Sequence, residues 1–89
     1  MTTPVHRPDK HRFEATVDGH AGWLDYSVRG DVMTLLHTEV DPALSGRGVA
    51  AALVEAALDH ARANGLKVLA RCEYASYMER HPESKSLRA

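Results

Sequence analysis

Two stretches near the start of the chain, residues 12–17 and 21–28, alternate apolar and polar residues with the period of a β-strand. A third stretch, residues 32–40, is rich in β-branched and apolar residues and also predicts a strand. Asp18-Gly19 separates the first two stretches, and a pair of residues of this kind favours a tight hairpin turn. The pattern therefore predicts three antiparallel strands joined in chain order.

The second half of the chain changes to helical spacing. Apolar residues recur every three or four positions from near Arg47 to about residue 64, and Gly65 suits the position just after a helix. Residues 66–71 then predict a fourth strand, and residues 73–80 a short C-terminal helix. A strand, a crossover helix and a second strand form a unit whose strands are parallel. The fold class is therefore predicted to be α/β with a mixed sheet.

Length and composition limit the chain to one small domain. It has 89 residues and a net charge of −1, which gives no reason to expect a nucleic-acid or anionic-membrane binder. Residues 1–11 and 84–89 are expected to be flexible tails around a domain at 12–83. The single cysteine, Cys72, fits a reducing cytoplasm. We expect a monomer or a weak dimer.

A glycine-containing loop lies between the third strand and the long helix. Its sequence over residues 44–50 is Leu-Ser-Gly-Arg-Gly-Val-Ala. A turn that opens a helix presents free N–H groups and the positive end of the helix dipole, which favour a phosphate. The expected reason for Gly46 and Gly48 is that a Cβ would keep a ligand away from the backbone. The residues alone leave a phosphate site and a plain structural turn equally open.

Several segments together resemble a known family. The loop at 42–50 is similar to the acyl-CoA pyrophosphate loop of the GNAT superfamily of N-acetyltransferases, with Gly48 and Ala50 at matching positions and Ser45 where that family has Gln or Arg. Segments 37–40 and 79–83 resemble a group of very small members that keep the CoA-binding half of the fold.

The resemblance implies how acetyl-CoA, or another acyl-CoA, would lie as the donor substrate. Backbone groups of Thr38, Glu39 and Val40 would pair with the pantetheine arm, and amides of the loop would hold the pyrophosphate. The thioester would reach between the splayed ends of the third and fourth strands. The loop residues assigned to the donor are Ser45, Gly46, Arg47, Gly48, Val49 and Ala50.

Three side chains are candidates for catalysis. Cys72 follows the fourth strand, and the resemblance implies a cysteine near the CoA sulfur that could accept the acyl group; the alternative is a small buried hydrophobe. His37 lies within an apolar strand and could activate that thiol or be a hydrogen-bonded core histidine. Glu39 shares its strand face and could take a proton from an amine through water, or be a solvated carboxylate. The sequence predicts no metal site.

Three functions remain in competition. The first is an N-acetyltransferase that transfers an acetyl group from acetyl-CoA to an unidentified amine, on a small molecule or a protein, possibly through Cys72. The second is a non-catalytic acyl-CoA binder. The third is a protein-interaction module in which the glycine loop is purely structural, because a shared fold does not by itself establish an activity.

Overall fold

The computed structural model describes residues 3–71 and contains one five-stranded sheet. The strands are β1 (Val5–Arg7), β2 (Arg12–Val17), β3 (His20–Arg29), β4 (Val32–Val40) and β5 (Lys67–Ala70). Their order in the sheet is the same as their order in the chain. The first four strands are antiparallel to their neighbours, and β5 lies parallel to β4. The predicted mixed sheet with a parallel last strand is confirmed.

The N-terminal segment differs from the prediction. Val5–Arg7 pairs with residues 12–14 of β2 and is followed by a 3-10 turn at Pro8–Lys10. The expectation of a loose tail was therefore wrong for this segment. His6 explains the attachment, because its ring stacks on Phe13 with 4.4 Å between centroids and hydrogen-bonds the hydroxyl of Tyr26.

One helix, α1 (Val49–Ala63), connects β4 to β5 and covers one face of the sheet. Its end fits the prediction, since Gly65 has a φ of +67° and the Leu66 amide donates to the Ala61 carbonyl at 2.8 Å. Helix and sheet bury a single core between them. Its members are Phe13, Ala15, Leu24, Tyr26, Met33, Leu35, Leu44, Val49, Leu53, Val54, Ala57, Leu58, Ala61 and Val68.

The other face of the sheet carries polar side chains and no described helix. Arg12, Trp23 and Asp25 lie on this open face, because they alternate with the buried residues of the same strands. None of the helices in the described part of the chain is long and apolar enough to cross a membrane. The predicted helix at 73–80 lies outside the described residues.

Candidate functional site

A bulge in β4 determines which side chains reach the site. Asp25 of β3 pairs with His37, but the next residue, Tyr26, pairs with Leu35, so Leu36 is an extra residue in β4. A shift of one residue moves every later side chain to the opposite face. Leu35 is buried in the core, whereas His37 is exposed on the open face.

The sequence left His37 open as an activator of the Cys72 thiol or as a hydrogen-bonded core histidine, and the structure excludes the core position. Without the bulge, His37 would lie on the core face with Leu35. Its side chain is instead 61% exposed, and so is that of Glu39, with 3.6 Å between His37 Nε2 and Glu39 Oε2. The two side chains do share a strand face as predicted. Cys72, the third catalytic candidate, lies outside the described residues.

The sheet opens beside the bulge. Pairing between β4 and β5 ends at Leu35 and Ala70, and the amide of Arg71 donates to the Leu35 carbonyl at 2.9 Å. Beyond that point β4 continues to Val40 with no strand partner on this side among residues 3–71. The Asp41 amide donates to the Ala21 carbonyl of β3 at 3.0 Å. Because hydrogen-bonding direction alternates in an antiparallel ladder, the N–H and C=O groups of Thr38 and Val40 point to this open edge.

Asp41 shapes the start of the loop that follows β4. Its Oδ1 accepts a hydrogen bond from the Ala43 amide at 2.9 Å, which caps the 3-10 turn at Pro42–Leu44. Its Oδ2 lies 3.0 Å from Nδ1 of His20. The Ala43 amide, and then His20, lower the pKa of the Asp41 carboxyl below its ordinary value. The carboxylate therefore fastens the loop to the sheet in its ionised form.

Two glycines allow the loop to turn into α1. Gly46 has a φ of +79° and Gly48 a φ of +74°, values that favour glycine. Apart from its two chain neighbours, a Cβ added at either position would have no heavy atom of residues 3–71 within 4 Å. The protein therefore needs these glycines for their backbone conformation and leaves the space above them open. Gly48 is the N-cap residue, so the helix begins at Val49 and not near Arg47 as predicted.

Some loop amides are already occupied and others are open. The Ser45 amide donates to the Pro42 carbonyl at 3.1 Å, and the Arg47 amide to the Leu44 carbonyl at 3.2 Å. The amides of Gly46, Gly48, Val49 and Ala50 donate to no acceptor within residues 3–71. These four are the amides that the loop can offer to an anion, and they cluster where the helix dipole is positive. The amides of Ser45 and Arg47, two residues assigned to the acyl-CoA donor from the sequence, already have carbonyl partners within the loop.

The open amides line a pocket at the end of β4. The pocket has a volume of about 290 Å³. Its lining consists of Val40, Asp41, Pro42, Leu44, Ser45, Gly46, Gly48, Val49 and Ala50. The side chain of Arg47 turns away from it to Asp18, with 3.0 Å between Nη1 and Oδ2, and so ties the loop to the β2–β3 turn.

The profile of the GCN5-related N-acetyltransferases matches residues 12–87. The chain belongs to this family. The resemblance noted in the sequence is therefore confirmed.

Two solved structures show the same fold. One is a GCN5-like candidate N-acetyltransferase from Staphylococcus aureus, which is 26% identical and has a TM-score of 0.71 over 97% of this chain and 86% of its own. The other is AAC(6')-Iy in complex with a bisubstrate analogue, CoA-S-monomethyl-acetylneamine. It is 19% identical, with a TM-score of 0.50, over 83% of this chain and 59% of its own.

Two features of this GCN5-related site were missed by sequence reasoning. Gly22 of β3 is buried, and a Cβ there would approach Val40 Cγ2 to 3.1 Å and Val49 Cγ1 to 3.3 Å. Its missing side chain lets the start of α1 pack directly against the sheet beside the end of β4. Only an unexplained glycine inside a predicted strand could have indicated this close approach.

The second feature is the hydroxyl of Thr38. Its Oγ1 is buried and has no hydrogen-bond partner among the described residues. A buried hydroxyl without a partner is costly, by about 1–3 kcal/mol. Thr38 is also one of the two residues whose backbone faces the open edge of β4. Its unsatisfied hydroxyl and its open backbone groups fit a polar ligand in the gap between β4 and β5.

Proposed function

We propose that the protein transfers an acetyl group from acetyl-CoA to an amine. The observation that carries this proposal is the placement of four open amides at the start of α1 beside an unpaired edge of β4. A diphosphate needs clustered N–H donors, and a peptide-like pantetheine arm needs a strand edge with which to pair. Membership of the GCN5-related family supports the assignment, as does the CoA-containing analogue that AAC(6')-Iy binds.

In this proposal the chain binds the donor mainly through its backbone. Gly46, Gly48, Val49 and Ala50 donate their amides to the pyrophosphate, while Ser45 lines the same pocket. Thr38 and Val40 pair with the pantetheine arm through their backbone groups, and the Thr38 hydroxyl gains a partner when the arm is bound. The backbone of Glu39 faces β3 and does not pair with the pantetheine arm. Glu39 acts instead through its side chain, as a candidate base.

The direct route to products uses Glu39 or His37 as the base. The amine nitrogen attacks the thioester carbonyl carbon, the bond from carbon to sulfur breaks, and sulfur leaves with the electron pair and takes up a proton. The nitrogen loses its proton to the Glu39 carboxylate or to a neutral His37 imidazole. Both side chains are exposed within three residues of Leu36, so either can reach an amine that approaches from the open face.

A route through Cys72 is the second mechanism. The thiolate of Cys72 would take the acetyl group from CoA, and the amine would then take it from the cysteine. Only this route leaves an acetylated protein when no amine is present. A non-catalytic acyl-CoA binder is the alternative function, favoured by the fact that the chain spans only 59% of the AAC(6')-Iy chain. A monomer or weak dimer in the cytoplasm remains a prediction.

The test is a calorimetric titration with acetyl-CoA followed by assays of thiol release with a panel of amines. We expect saturable binding and amine-dependent release of CoA. Intact mass after incubation with acetyl-CoA alone then separates the routes, with Cys72→Ser as the matched control for an acetyl group on sulfur. Binding without turnover would favour the non-catalytic binder, and absence of binding would refute the proposal.

A further inference from the structure

Asp41 places a negative charge where the pyrophosphate of the donor is proposed to bind. It lines the loop pocket together with Gly46, Gly48, Val49 and Ala50, whose amides are open. Among the described residues that line this pocket, Asp41 is the one with a charged side chain. Like charges repel, so an ionised carboxylate in the lining weakens the binding of a pyrophosphate. Tight binding of the donor therefore requires a cation that offsets Asp41.

Protonation of Asp41 itself does not remove this charge near neutral pH. Its Oδ1 accepts a hydrogen bond from the Ala43 amide at 2.9 Å. This bond, and then the hydrogen bond from His20, hold the pKa of the carboxyl below its ordinary value. The carboxylate therefore stays ionised throughout the neutral range, and the compensating charge has to come from a neighbouring side chain.

The other charged groups around the pocket are paired with each other. Arg47 of the loop lies with its Nη1 3.0 Å from Oδ2 of Asp18 in the β2–β3 turn, so its charge is offset there. Glu39, the second carboxylate near the end of β4, lies on the open face with its Oε2 3.6 Å from His37 Nε2. The first turn of α1 contains no acidic residue. The charge at the pocket therefore depends on the group that contacts Asp41.

That group is His20, the first residue of β3. It pairs with the uncharged Val17 of β2, and its Nδ1 lies 3.0 Å from Asp41 Oδ2. An ionised carboxylate only accepts hydrogen bonds, so Nδ1 carries a hydrogen whether the imidazole is neutral or charged. The contact therefore survives a change in the charge of His20. The two side chains together carry one negative charge when the imidazole is neutral and none when it is protonated.

We infer that His20 is a positioning residue whose protonation, acting through Asp41, controls the affinity of the loop pocket for the acyl-CoA donor. The inference rests on the proposed function, because it concerns the pyrophosphate held by the loop amides. The protonated imidazole offsets Asp41 and favours the bound pyrophosphate. By linkage, the bound pyrophosphate favours the protonated imidazole to the same extent. Donor binding is therefore accompanied by uptake of a proton at His20.

The direction and size of the effect follow from this linkage. Affinity for the donor is highest at acid pH, falls as the pH rises through the titration of His20, and then reaches a lower plateau. The side chains of His20 and Asp41 are 45% and 38% exposed, so solvent screens part of the charge. We expect affinities that differ about fivefold between the two protonation states, which corresponds to uptake of at most about 0.4 proton per donor bound.

Calorimetric titration of the full-length protein with acetyl-CoA tests the proton uptake. The titrations are made between about pH 5.5 and 8.5, on either side of the ordinary pKa of histidine, in two buffers that differ in ionisation enthalpy. The difference in apparent binding enthalpy gives the number of protons taken up. His20→Gln keeps a hydrogen-bond donor for Asp41 but stays neutral, so it should lose this uptake. The 3′-phosphate of acetyl-CoA also titrates in this range, and subtracting the variant from the parent removes its contribution.

Two further variants separate the charge of His20 from its place in the structure. His20→Arg keeps a cation at every pH and should retain high affinity at about pH 8.5, where the affinity of the parent has fallen. His60→Gln removes an imidazole from the last turn of α1, at the opposite end of the helix from the loop, and should match the parent. Equal proton uptake by His20→Gln and the parent, or equal losses in His20→Gln and His60→Gln, would overturn the inference.

The same titrations separate this inference from the proposed function. Acetyl-CoA binding and turnover without proton uptake at His20 would support acetyl transfer and overturn the inference. Binding with that uptake but without turnover for any amine would support the inference and favour the non-catalytic acyl-CoA binder. Absence of acetyl-CoA binding at every pH would refute both.

Discussion

Gly48 and Gly65 form a matched pair that tests the donor site. Both have positive φ, +74° and +67°, and an added Cβ at either position would lie more than 4 Å from every described heavy atom except those of its two chain neighbours. They lie at opposite ends of α1, Gly48 at its N-cap and Gly65 just beyond its C-cap. An alanine at either position therefore imposes a similar backbone cost, but only Gly48 lines the loop pocket.

The cost to folding follows from the backbone conformation. A residue with a Cβ in the left-handed region costs about 1–2 kcal/mol. For a domain of this size, ~1 kcal/mol lowers the melting temperature by about 4–8 °C. Gly48→Ala and Gly65→Ala should therefore lower the melting temperature by similar amounts.

The cost to binding should differ sharply between the two variants. A methyl group at Gly48 occupies the open space above the amides of the loop and keeps a phosphate at a distance. Loss of one hydrogen bond to a charged group costs about 1.5–3 kcal/mol, or roughly 10- to 100-fold in affinity. At Gly65 the methyl group is at the other end of the helix, so acetyl-CoA affinity should not change.

The assay is calorimetric titration with acetyl-CoA at a temperature where both variants are folded, with thermal unfolding measured by circular dichroism. Equal affinities for the two variants would refute the assignment of the loop amides to the pyrophosphate, because backbone strain alone would then account for the result. A parent-like affinity in Gly48→Ala would refute it directly.

Three further predictions concern stability. Leu53→Ala should lower the free energy of unfolding by about 3–5 kcal/mol in urea denaturation, because the side chain is fully buried between helix and sheet. A decrease no larger than that caused by a substitution at the protein surface would contradict this packing. Burial, and then the charge of His60, lower the pKa of His6 in the folded protein. Because the unfolded chain then binds a proton more readily, stability should fall as the pH drops below about 6.5, the ordinary pKa of histidine. His6→Phe should remove that part of the pH dependence, and an unchanged profile would count against it. The pKa of Asp41 is lowered mainly by the Ala43 amide. Its contribution to stability is therefore fully present above the pKa that the carboxyl has in the unfolded chain, and is lost as the pH falls through the lower pKa of the folded protein. Asp41→Asn should flatten the dependence of the urea midpoint on pH in that acid range, and a profile unchanged from that of the parent would argue against the cap.

The sequence predicted the strands that alternate without interruption and the helix with a continuous apolar stripe. β2 and β4 were predicted with their observed bounds, and β3 and β5 to within one residue at each end. The bulge at Leu36 could not be predicted, because the stretch from Val32 to Val40 contains apolar residues at both even and odd positions. The alternation is therefore compatible with either face for His37.

β1 was missed for a different reason. It is three residues long and lies between Pro4 and Pro8, which favoured an irregular tail. Its place in the sheet depends on the ring of His6 against Phe13 and Tyr26, a contact between residues distant in sequence. In the candidate site the glycine loop was identified from its sequence, but which of its amides are open depends on the turn that Asp41 caps.

The identical order of strands in the chain and in the sheet has a consequence for how the protein folds. β2, β3 and β4 each pair with the strand just before them through a short turn, so these three pairings close small loops and cost little entropy. Only the pairing of β5 with β4 must wait for α1 to cross the sheet, since parallel strands require a long connection. Sequential hairpins can therefore assemble early, and the last step of folding brings α1 and β5 into place. That step also completes the pocket at the end of β4, so the donor site is assembled only when the whole described sheet has formed.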